Sequence, residues 1–123
     1  MTSETDDPVE LYLSEVAKVP PLADEEENAL FQRLRMDDRD EAAKRCLIEN
    51  RLTMVVDIAN QYSSTGIPRL DLLQEGNIGL MKAVQMYTTN PAGKFSAFAS
   101  AMIEAAIRQA IADHDLSERT PNE

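Results

Sequence analysis

Two glycines inside one helical run constrain this chain more than any other feature. Asp71-Leu72-Leu73-Gln74-Glu75-Gly76-Asn77-Ile78-Gly79-Leu80-Met81-Lys82-Ala83-Val84 reads as a helix with Gly76 and Gly79 in its interior. Each interior glycine costs a helix about 1 kcal/mol relative to alanine, so a run that keeps both uses their small size. The two lie three apart, with Leu72, Leu80 and Ala83 on the same side, and that side predicts close approach of a neighbouring helix. The opposite side carries Leu70, Gln74, Asn77 and Met81, flanked by Asp71, Glu75 and Ile78. Such a mixed polar and apolar surface is either a solvated face or a docking face for another protein.

Around this run the sequence predicts an all-α chain, a compact bundle of about five helices. Val9 to Ala17 is the first, introduced by Asp7-Pro8 and ended by Pro20-Pro21. Asp24 reads as the N-cap of the second, with Glu27 three residues on as its capping-box partner. That helix continues through Leu30, Phe31 and Leu34, and Met36 to Asp40 forms a charged connection. A long third helix is expected from Asp40 to Tyr62, its apolar face made of Leu47, Leu52, Val55, Val56, Ile58 and Ala59. Gly66 and Pro68 break the pattern before the glycine-bearing helix, and Thr88 to Gly93 breaks it after. The last helix is expected from Phe95 to His114. The domain reading is one unit: an N-terminal helical extension over 1–36, a main bundle over 40–114 and a flexible polar tail over 115–123.

Charge limits what the chain can bind alone. Its 123 residues carry a formal charge of −10, and nine acids within the first 27 residues face only Lys18. Nucleic-acid binders present a basic footprint, so tight DNA binding by the isolated chain is not expected. The acidity fits plain solubility, a basic protein partner, or DNA contact made only inside a larger assembly. No apolar run approaches the roughly 20 residues that span a bilayer, and the polar segment from Met1 to Asp7 lacks the features of a signal peptide. No membrane association is expected, and a cytoplasmic location is. Cys46, the one cysteine, sits among Ala42, Ala43, Leu47 and Ile48 and reads as a small core residue.

Nothing points to catalysis. There is no nucleophile elbow, phosphate loop or metal-spaced cysteine and histidine set, so neither an enzyme, a metal nor a cofactor is expected. His114, the only histidine, stands near a helix end where it interacts favourably with the helix dipole. Glu25, Glu26 and Glu27 read as a solvated helix start.

The glycine-bearing run resembles the core-binding helix of primary-class bacterial RNA polymerase sigma factors. Asp7-Pro8-Val9-Glu10-Leu11-Tyr12-Leu13-Ser14-Glu15-Val16 resembles that family's opening segment, and Pro20-Pro21-Leu22 with Glu25-Glu26-Glu27 continues it. Ala43 to Leu52 through Val55-Val56-Asp57-Ile58-Ala59 resembles the next helix, and Lys94-Phe95-Ser96-Ala97-Phe98-Ala99 the start of the promoter-binding helix. In family order, these matches run from Asp7 to Asp113. The resemblance implies docking on the coiled coil of the β′ subunit of core RNA polymerase, through Leu70, Asp71, Gln74, Glu75, Asn77, Ile78 and Met81.

The last helix departs from the family pattern. There the family stacks aromatic side chains on unpaired bases, worth about 1–3 kcal/mol per base. Phe95 and Phe98 match aromatic positions, although Phe98 replaces a tyrosine. The tandem tryptophans are replaced by Ala101 and Met102, the next arginine and glutamine by Glu104 and Ala105, and a later threonine and arginine by Arg108 and Gln109. Read without the family, Phe95, Phe98, Ala99, Met102, Ile103, Ala106, Ile107 and Ala110 form one apolar stripe, so both phenylalanines serve equally as core. The remaining candidates for weak DNA contact are Lys94, Arg108 and Gln109. No counterpart of the family's later promoter-contacting domains is found through Glu123.

Three functions follow from the resemblance. One is a core-binding module that acts in or modulates transcription initiation with weakened promoter recognition and melting. Another is a promoter-binding factor of altered specificity, meeting promoter DNA only within the polymerase complex. The third is a sigma mimic that sequesters an anti-sigma protein.

Overall fold

The structure, a computed structural model, describes residues 7–119. Six α-helices follow one another: α1 (Pro8–Ala17), α2 (Asp24–Met36), α3 (Glu41–Glu49), α4 (Leu52–Asn60), α5 (Arg69–Thr89) and α6 (Phe95–Arg119). A 3-10 turn at Ser63–Thr65 precedes α5, and the described residues contain no strand. The all-α bundle expected from the sequence is therefore observed.

The expected long helix from Asp40 to Tyr62 is two helices. Asn50 donates its side-chain amide to the Cys46 carbonyl at 2.8 Å, closing the last turn of α3. Arg51 then leaves helical geometry at φ −117°, ψ 7°. Its guanidinium crosses to α2, where Nε and a terminal nitrogen donate to the two Glu27 carboxylate oxygens at 2.9 and 2.8 Å. Glu27 is only 4% exposed. It is thus an interior ion-pair partner rather than a cap or part of a solvated helix start. The N-cap of α2 lies one residue earlier than expected, at Ala23, whose backbone N–H donates to Glu26 at 2.9 Å.

The α5–α6 pair makes the most extensive contact in the molecule, and the interior glycines explain it. A β-carbon on Gly76 would meet Val55 Cγ1 at 2.7 Å and Ile107 Cδ1 at 3.2 Å, so α4, α5 and α6 converge there closely enough that a methyl group would have to displace those side chains. Leu72, Leu73, Leu80, Ala83, Ile103 and Ile107 are buried along this seam. The apolar stripe expected on α6 is the face that packs, with Phe95, Ala99, Ile103 and Ile107 buried and Phe98 and Met102 partly so.

An aromatic cluster closes the other end. The rings of Phe31, Tyr87 and Phe95 lie 4.8–5.2 Å apart, centroid to centroid, in tilted and edge-on arrangements favoured by ring quadrupoles. Tyr87 donates its hydroxyl to the Gly93 carbonyl at 2.6 Å. Gly93 adopts φ +70°, a conformation glycine takes without steric cost, so the loop turns tightly enough to return α6 onto α5. Arg35 of α2 donates to the Thr88 carbonyl at 2.9 Å, satisfying the exposed carbonyl end of α5.

α1 is the most lightly held helix, with Val16 as its one buried residue. α6 runs past His114 to Arg119, so the first part of the expected tail is helical; residues 120–123 lie outside the described residues. Cys46 is partly rather than fully buried.

Candidate protein-docking face and α6 surface

The outward side of α5 exposes large apolar groups on a helix whose inner side is dry. Leu70 is 44% exposed, Ile78 40% and Met81 47%, whereas Leu72, Leu80 and Ala83 are at 0%. Asp71 and Gln74 are exposed between them, and Glu75 is partly buried. The residues singled out in the sequence therefore lie along one face.

Asn77 is the exception, because α1 partly covers it. Its amide nitrogen donates to the Tyr12 hydroxyl at 3.1 Å, while its carbonyl oxygen is buried without a hydrogen-bond partner. An unpaired buried acceptor is costly, and Arg69 Nε at the start of α5 is likewise buried without a partner.

Two clefts flank the face. One, of about 540 Å³, is bounded by Asp71, Gln74 and Glu75 on α5 and by Gln109, Asp113 and His114 on α6. The other, of about 640 Å³, lies beside Met81 over an apolar floor of Leu34, Ile48 and Val84, with Lys44 and Arg45 at its rim. Gln109, a candidate for weak DNA contact, therefore also lies beside the outward face of α5.

The residues proposed for DNA contact are dispersed. Phe95 is 4% exposed inside the aromatic cluster and offers no face to a base, so the core reading holds for it. Phe98 is partly buried, its ring 6.1 Å from Tyr87. Lys94 is exposed just ahead of α6. Arg108 is exposed but engaged: Nε donates to the Tyr62 hydroxyl at 2.9 Å, and a terminal nitrogen lies 3.4 Å from Glu104. Hydrogen bonding to Tyr62, with the Glu104 charge in support, holds the Arg108 guanidinium above its ordinary pKa. Gln109 donates to Asp113 at 2.9 Å. Ala97, Ala101, Ala105 and Ala112 complete an exposed side with no stacking surface.

Tyr12 and Tyr62 were missed as contributors. They are two of only three tyrosines, but each acts across the fold, 65 and 46 positions from its partner. Among the described residues no group of acids, histidines or cysteines could hold a metal, and no helix is long and apolar enough to cross a membrane.

Residues 47–116, more than half of the chain, match the family described as Sigma-70 region 2. The chain belongs to the sigma-70 family. The matched part of this region 2 domain begins near the end of α3 and takes in α4, α5 and most of α6. Its relatives include proteins named RNA polymerase sigma factor SigA. The one from Clostridium acetobutylicum is 47% identical over 116 residues, and those from a Bacillus species and from Listeria monocytogenes are each 45% identical over 115. In each case the alignment takes in 94% of this chain and 30% of the relative. This sigma-70 domain thus spans about a third of the length of the curated relatives it matches.

Proposed function

We propose that this sigma-70 region 2 domain docks on core RNA polymerase through the outward face of α5 and acts in or modulates transcription initiation, with weak engagement of promoter DNA. The carrying observation is the exposure of Leu70, Ile78 and Met81 on a helix whose other side, through Leu72, Leu80 and Ala83, is sealed into the core. Exposed apolar groups rimmed by polar ones are characteristic of protein-binding sites. Asp71 and Glu75 beside them supply the negative charge that a basic coiled coil, such as that of the β′ subunit, would meet, favouring encounter and register. The relatives are named as RNA polymerase sigma factors, which supports the same partner and a cytoplasmic location.

Weak DNA engagement is supported by the α6 surface. Affinity for DNA comes mainly from lysine and arginine on phosphate, and here Arg108 is tied to Tyr62 and Glu104 while Phe95 is buried.

Binding of the purified protein to core RNA polymerase, with Glu75→Lys as matched control, tests the docking reading. Saturable binding that Glu75→Lys abolishes is the expected result. A folded wild-type protein that ignores the polymerase would overturn it and leave an anti-sigma protein as the partner for the same face.

A further inference from the structure

On the exposed side of α6, a closed ring of three side chains takes up the arginine that would meet DNA. Arg108 Nε donates to the Tyr62 hydroxyl at 2.9 Å. That hydroxyl in turn donates to Glu104 Oε2 at 2.5 Å. An Arg108 terminal nitrogen lies 3.4 Å from the same carboxylate oxygen. Tyr62 is itself fixed, because Thr65 donates its hydroxyl to the Tyr62 carbonyl at 2.8 Å. The ring therefore joins the loop after α4 to the middle of α6.

Glu104 carries the negative charge of this ring, against the positive charge of Arg108. Its side chain is 38% exposed and that of Arg108 70%, so both are open to an approaching nucleic-acid backbone. A carboxylate against a guanidinium offers the same two elements as a phosphate: negative charge and in-plane acceptor oxygens. We propose that Glu104, oriented by Tyr62, acts as a built-in competitor for the phosphate backbone of DNA, and that it sets how strongly this face of the domain engages DNA. A phosphate that meets Arg108 shares the guanidinium with Glu104, whose carboxylate offsets part of its charge and repels the incoming backbone. The inference rests on the reading that DNA engagement is weak and names the residue responsible.

The test uses the full chain and a short fluorescent DNA duplex, titrated at several salt concentrations, so it does not depend on polymerase docking. Glu104→Gln keeps an acceptor for the Tyr62 hydroxyl and removes the charge. Asp115→Asn removes an equal charge further along α6 and controls for net charge. Glu104→Gln is expected to bind about two- to fivefold more tightly at low salt, the range one surface ion pair spans. Its log–log salt dependence is expected to steepen by about 0.9, one added phosphate contact. Tyr62→Phe is expected to give a smaller gain in the same direction. Arg108→Ala in the Glu104→Gln background is expected to cancel the gain. Equal affinity and slope for wild type and Glu104→Gln, a gain equalled by Asp115→Asn, or no binding by any of the proteins would overturn the inference while leaving weak DNA engagement standing. Tight binding by the wild type would overturn weak engagement itself. Circular dichroism and thermal melting of each variant establish that the fold is unchanged.

Discussion

Gly79 faces the backbone of Met102: a β-carbon placed on it would lie 2.8 Å from the Met102 carbonyl oxygen, 2.9 Å from Ala106 Cβ and 3.1 Å from Ile103 Cα. None of these atoms is the free end of a flexible chain, so none yields cheaply. At Gly76 the obstructing atoms are methyl groups of Val55 and Ile107, which can adjust by small rotations.

Gly79→Ala is therefore expected to destabilise the domain more than Gly76→Ala. Overpacking costs about 1–3 kcal/mol, against a gain of about 1 kcal/mol in helix propensity. At Gly79 the first term dominates; at Gly76 the two come closer to cancelling. Urea denaturation of both variants checks the order, and a more stable Gly79→Ala protein would refute the close-packing account.

Removing one partner of the Glu27–Arg51 pair is expected to cost about 3 kcal/mol or more, because the other charge stays in the interior unpaired. The side chains are 6% and 21% exposed. Arg51→Met should be the more damaging change, since it strands the deeper group. The double variant Glu27→Leu with Arg51→Met should recover most of the loss. A thermodynamic cycle of the four proteins measures this coupling, and additive losses would contradict it.

Asp40 caps α3 by accepting from the Ala43 backbone N–H at 3.0 Å and also receives two hydrogen bonds from Arg33. The Ala43 bond first, and Arg33 second, hold its carboxyl below the ordinary carboxylate value. A carboxyl whose folded-state value is lowered contributes stability above its unfolded value of about 3.9, and that contribution disappears as pH falls through the folded value. Asp40→Asn keeps a capping side chain and loses the charge. It is expected to be less stable than the wild type near neutral pH, the gap closing in acid below the ordinary carboxylate range. Parallel melts across pH check this, and a gap that widens in acid would show the sign to be wrong.

Ile78→Asp and Met81→Asp are expected to weaken binding to core RNA polymerase at least about tenfold, the loss of roughly 1.4 kcal/mol of contact. Both side chains are more than a third exposed, so melting temperatures should barely move. Leu80→Ala, one residue away at 0% exposure, should instead lose about 2–5 kcal/mol of stability. Pull-down and melting of the same three proteins separate docking from folding.

The seam of the fold was legible because it is local. Gly76, Gly79, Leu72, Leu80 and Ala83 repeat on a helical period, and so does the stripe from Phe95 to Ala110. Periodicity alone could not decide whether Phe95 meets a base or the core; that depends on Phe31 and Tyr87 arriving from α2 and α5. The break at Asn50–Arg51 was hidden because both residues are acceptable in a helix and the reason for breaking, Glu27, lies on another one. On the surfaces, the exposed line from Leu70 to Met81 followed from spacing. The engagement of Arg108 did not, because Tyr62 sits a full helix and loop away.

Without a β-carbon at Gly79, no layer of side chains lies between α5 and the backbone of α6 at that point. Sliding or tilting one helix against the other soon brings backbone into backbone, and close-packed interiors yield little to such displacement. The spacing between the outward side of α5 and the exposed side of α6 is consequently set by backbone rather than by side chains. Leu70, Ile78 and Met81 are thereby held at a set distance from Lys94 and Arg108, and a methyl group at position 79 would reset that distance for all of them at once.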